Sequence, residues 1–67
     1  MLEHYLRWAN VDVALAEVSY QIAAFYWAAG EYDRAAKHMH QGKILTDRAA
    51  YYLQRAKVNL ILDSIGA

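Results

Sequence analysis

Three histidines, two serines and a run of arginines and tyrosines are the residues of this 67-residue chain with the chemistry to act on another molecule. His38 and His40 stand two apart, so on a helix they point about 160° away from each other and cannot chelate one ion. His4 lies far away in the sequence, and there is no Cys, no His-Glu-x-x-His and no Asp-rich loop. Ser19 and Ser64 fall in helical patterns rather than in a Gly-rich turn, so neither is set up as a nucleophile with a base in reach. Gly30, Gly42 and Gly66 are too dispersed to cradle a phosphate. The reading is of a chain with no catalytic residue, no metal and no cofactor, hence not an enzyme.

Arg48, Tyr51, Tyr52 and Arg55 form the sharpest local pattern. Their spacings of three, four and seven place them along one helical face. Guanidinium groups interleaved with aromatic rings can grip a phosphate while a base stacks, and Arg34, Lys37 and Lys43 could widen the patch. This face is a candidate for capturing a small anionic ligand such as a nucleotide. The other reading is a face solvated or paired within the chain, opposite Asp12 and Glu17.

The elements that position these groups are helical. From Leu2 to Ala29 nothing breaks a helix. Leu6, Ala9, Val13, Ala16, Tyr20, Ala23 and Trp27 recur at steps of three and four, as do Trp8, Val11, Leu15, Val18, Ile22 and Phe25. Between them runs a narrow polar strip of Glu3, Arg7, Asn10, Ala14, Glu17 and Gln21. A helix over residues 3–28 is therefore apolar on two sides and needs neighbours on both. At about 39 Å it is also longer than the ~28 Å diameter expected of a compact chain this size. One stripe (Val13, Tyr20, Trp27) or the other (Leu15, Ile22, Phe25) should pack on the chain's own helices, and the remaining one on a second subunit.

Gly30 suits the left-handed position that ends a helix, and Glu31 and Asp33 put negative charge at the start of the next one. A second helix is expected over 31–45. Thr46 and Asp47 read as an N-cap pair for a third over 47–65, with Gly66 as the stop. A continuous helix from 31 to 65 competes closely with this three-helix reading. The fold class is all-α: a small helical hairpin or three-helix bundle in a single domain, 1–67, completed by homo-oligomerisation with a dimer foremost.

Residues 22–45 resemble the helix-turn-helix of a tetratricopeptide repeat. The matching positions are Ala23, Tyr26, Gly30, Tyr32, Asp33 and Ala35, with Met39 for the usual aromatic and Gly42 for the usual small residue. Ser19 stands where that family has an aromatic, and Asp47 where it has proline. The resemblance covers one repeat, about a third of the chain, and implies an antiparallel hairpin with a tendency to bind proteins.

The charges balance, with seven Lys and Arg against seven Asp and Glu, which argues against a nucleic-acid-coating protein. Their distribution is uneven. Residues 1–33 carry Arg7 against Glu3, Asp12, Glu17, Glu31 and Asp33, whereas 34–57 carry six bases against Asp47 alone. No uninterrupted apolar stretch of membrane-spanning length occurs, and Met1-Leu2-Glu3-His4 lacks the basic start of a signal peptide, so the expected location is cytoplasmic. Nine aromatic residues, six of them Tyr, suit an interface. Trp8, Leu15, Ile22, Phe25, Tyr26 and Trp27 are the candidate interaction surface. The sequence thus suggests a non-catalytic interaction module, a small oligomeric adaptor or inhibitor. By analogy, the small proteins with which phages block bacterial defence are built in this way. The alternative is an oligomer that sequesters a small anion.

Overall fold

The computed structural model describes residues 2–66; Met1 and Ala67 lie outside the described residues. The chain forms two helices, α1 (Leu2–Ala28) and α2 (Tyr32–Gly66), joined by a tight turn, and the described residues contain no strand. The molecule is an antiparallel hairpin, 56 × 13 × 11 Å, with a radius of gyration of 15.8 Å. A compact chain of this length would have a radius of gyration of about 11 Å.

Gly30 makes the turn. Its φ of +78° is a left-handed conformation that a Cβ would strain. Glu31 N donates to Tyr26 O at 2.9 Å and Gly30 N to Trp27 O at 3.0 Å, the paired bonds of a Schellman stop. The Glu31 carbonyl then accepts the first bond of α2, from Ala35 N, and Asp33 sits in its first turn.

The break expected at residue 46 is absent: α2 is a single 35-residue helix. Both residues read as caps are used inside it. Thr46 Oγ1 donates to the Gly42 carbonyl one turn back at 2.8 Å, and Asp47 accepts from Lys43 Nζ at 3.0 Å. With no proline to remove a backbone donor, nothing interrupts the ladder at that point.

The interface between the helices refines a second expectation. Of the first stripe of α1 it is the small members that are buried: Ala9, Ala16 and Ala23, with Asp12 and Ser19, meet Ala35, Gly42, Ala49 and Ala56 of α2, while the bulky Val13, Tyr20 and Trp27 keep much of their surface exposed. Seven-residue spacing keeps these small residues on one side of each helix for the whole length of the contact. Small side chains let the backbones approach and leave recesses for rings. The Tyr20 ring fills the recess over Gly42, where an added Cβ would lie 2.7 Å from it. Among the described residues no large side chain is fully buried, and the hydrophobic core consists of alanines.

Candidate functional site

The seam divides the remaining apolar surface into two flanks. Leu6, Val13, Tyr20 and Trp27 of α1 lie on the first, beside Tyr32, Met39, Leu53 and Leu60 of α2. Their neighbourhood is shown by the edge-to-face contact of Trp27 with Tyr32, at 4.6 Å between centroids. Two shallow hollows open along this flank. One, lined by Tyr20, Ala23, Ala24, Trp27 and Met39, is almost wholly apolar; the other is lined by Leu2, Leu6, Leu53, Ala56, Lys57 and Leu60.

The second flank joins Trp8, Val11, Leu15, Val18, Ile22 and Phe25 of α1 to the side of α2 that bears Arg34, Arg48 and Arg55. Trp8 leans on Tyr52 at 5.4 Å, and Tyr5 approaches both rings. Towards the turn, Tyr26 stacks on His38 at 5.5 Å, and the Arg34 guanidinium lies 5.7 Å from the centre of the Tyr26 ring. All six α1 side chains named for this flank are exposed, Phe25 to 70%.

Arg48 is the member of the expected anion-binding face that is tied across the seam, while Arg34 and Lys43 pair with Glu31 and Asp47, at the start of α2 and within it. Arg48 Nε and Nη2 donate to Asp12 Oδ2 and Oδ1 at 2.8 and 2.9 Å, a two-pronged bridge across the seam. Asp12 is 3% exposed and Arg48's side chain 52% exposed, so the carboxylate is held inside while the guanidinium remains half in water. The hydrogen bonds from Arg48 keep the Asp12 carboxyl below the ordinary carboxylate pKa, with burial opposing and the charge of Arg48 assisting. The same bonds raise the pKa of Arg48, which stays cationic. Arg48 thus takes up the within-chain alternative at Asp12, and its positive charge is already matched. Tyr51 is exposed and meets Tyr52 edge to face at 5.7 Å. Tyr52 is half-buried against Trp8, and Arg55 lies further along the same flank.

The structure therefore brings together Trp8, Leu15, Ile22 and Phe25 of the expected interaction surface, with Tyr26 edge to face against Phe25 at 5.7 Å, and separates Trp27 from them. Trp27, 61% exposed, is on the opposite flank, and Tyr26 is half-buried near the turn. Two features escaped the sequence reading: the use of Asp12 as a buried anchor and the role of the heptad-spaced alanines as the seam. The signal for the second was present, since Ala9, Ala16 and Ala23 repeat at seven, as do Ala35, Gly42, Ala49 and Ala56.

Among the described residues, no group of three or more His, Cys, Asp or Glu is placed to hold a metal ion. No helix among them is long and apolar enough to cross a membrane. Compared with protein-family models, curated proteins and solved structures, the chain matches none of them.

Proposed function

We propose that the chain is a non-catalytic protein–protein interaction module, acting as a small oligomeric adaptor or inhibitor. The observation that carries this reading is the second flank: Trp8, Leu15, Ile22 and Phe25 lie exposed in a row beside Arg48 and Arg55. Exposed apolar rows of this extent mark association surfaces, and Trp, Tyr and Arg supply much of the binding energy at interfaces. With Arg48 matched by Asp12, the cationic pull of this border comes mainly from Arg55, which favours a partner with an acidic group beside an apolar strip, such as an amphipathic acidic helix. A phage-type inhibitor of a host system would have this construction.

Affinity capture from native extract, with the wild-type chain and Leu15→Glu as paired baits, tests the proposal. The expected outcome is a protein retained by the wild type and lost with Leu15→Glu while helicity by circular dichroism is unchanged. Equal recovery on both baits, or none on either, overturns it.

A second reading, sequestration of a small anion such as a nucleotide, draws on the hollow of about 330 Å³ lined by Trp8, Val11, Asp12, Arg48 and Tyr52. Asp12 neutralises the arginine there, which leaves Arg55 and the Tyr51 ring to attract the anion. Titration calorimetry with a nucleoside triphosphate should then show binding that Arg55→Ala abolishes. Unchanged affinity in that variant removes the reading.

A further inference from the structure

The first flank has a property the second lacks: its charged borders match each other. Residues whose numbers add to about 60 lie level across the hairpin, as the Asp12–Arg48 bridge and the Trp8–Tyr52 contact show. Glu3 and Glu17 border the flank on the α1 side, three residues before Leu6 and Tyr20. Lys57 and Lys43 border it on the α2 side, four residues after Leu53 and Met39. By the same rule Glu3 lies level with Lys57, and Glu17 with Lys43.

We propose that this flank binds a second copy of the chain about a two-fold axis parallel to the helices. Each α1 then lies on α2 of the partner subunit, completing an antiparallel four-helix assembly. Such an axis exchanges the two borders without changing level. Glu3 therefore meets Lys57 of the partner subunit, and Glu17 meets Lys43 of the partner subunit, with each contact made twice. A two-fold axis across the helices would set acidic border on acidic border and basic on basic. In the lone hairpin Lys43 bonds Asp47 from an exposed position, so its ammonium is free to turn outward. Tyr20, Met39, Val13, Leu6, Leu53 and Leu60 supply the apolar strip between the borders.

Surface area agrees with a dimer. The hairpin exposes 5210 Å², against about 4,300 Å² for a compact monomer of its mass. Two copies would reach the surface of a compact dimer by burying about 3,200 Å² together, within the range of obligate homodimers. The second flank does not fit a second copy in this way. Its α2 side carries arginines, and its α1 side offers apolar residues where acids would be needed.

The proposal rests on the reading of the chain as an oligomeric interaction module but concerns the opposite flank, so the two can fail separately. Sedimentation equilibrium of the full chain at micromolar concentration should give twice 7.7 kDa. Val13→Glu should give monomer. Glu17→Lys and Lys43→Glu each change only exposed side chains and should weaken the dimer about tenfold, roughly 1.4 kcal/mol of association energy. The double variant Glu17→Lys/Lys43→Glu should restore it, because the charges then meet in reverse. Leu15→Glu, on the other flank, should leave the dimer intact. A wild-type monomer, an assembly indifferent to Val13→Glu, or charge variants that the double change fails to rescue would each overturn the proposal. A dimer that captures no other protein would remove the adaptor reading alone.

Discussion

The seam and the flanks of this hairpin use the same two helices and the same seven-residue period with opposite choices of side chain. Along the seam stand Ala9, Ala16 and Ala23 against Ala35, Gly42, Ala49 and Ala56. Along the flanks stand Trp, Leu, Ile, Val, Phe and Tyr, nearly all exposed. A fully buried Leu, Ile or Phe contributes about 1.5–3 kcal/mol, and an alanine methyl a fraction of that. Most of the apolar stabilisation encoded in the chain is therefore unrealised within one hairpin. The seam fixes geometry by letting the helices approach and aligning their levels, whereas the flanks hold the energy available for association.

The change expected to do most harm attacks the continuity on which the seam depends. Asp47→Pro would remove an i→i−4 bond in mid-helix and displace Ala49 and Ala56 from their line, costing about 3 kcal/mol or more. It would also break the Lys43–Asp47 pair. A chain that broke at residue 46 would accept proline there, at the first position of a new helix. An unchanged thermal midpoint would thus restore the three-helix reading.

Next in size is a direct comparison of inside and outside. Ala16→Leu forces a branched side chain between closely packed backbones and should destabilise by about 1–3 kcal/mol. Ala14→Leu makes the same change on the exposed polar strip and should stay within about 0.5 kcal/mol. Paired thermal melts would measure both. Equal effects would mean that the small residues do not set the spacing of the helices.

The contrast between seam and flank also decides how much could be read from the residues in order. The lack of proline and the three-four spacing are local properties, so α1, its end at Gly30 and its two apolar sides were legible. Within the first stripe the pattern points to the bulky Val13, Tyr20 and Trp27, whereas the alanines of the same stripe, Ala9, Ala16 and Ala23, line the inner contact. Val13 and Leu15 dominated the pattern, while Ala16 beside them makes the contact. The continuity of α2 was underdetermined for a different reason. Thr46 and Asp47 have the right chemistry to cap a helix, and the same groups bond backward to Gly42 and Lys43 when the helix runs on. Asp12 could be named as a partner for the basic face, but its burial depends on which side of α1 meets α2.

The smallest effect concerns the one charged residue drawn into the seam. Asp12 has a lowered pKa in the folded chain, so its contribution is fully present above the ordinary carboxylate pKa of about 3.9. It is lost as pH falls through the lower folded value, where the carboxylate gains a proton and gives up its bond to Arg48. Arg48 remains charged throughout and contributes nothing to the slope. Asp12→Asn should accordingly melt below wild type at pH 7, with the gap closing as pH falls below the ordinary carboxylate range. Carboxylates common to both proteins cancel from that difference. The effect is modest because Arg48 is half exposed and water competes for its guanidinium. Parallel acid limbs in the two proteins would show that the bridge adds no pH-dependent stability, and that Asp12 sits in the seam for its size alone.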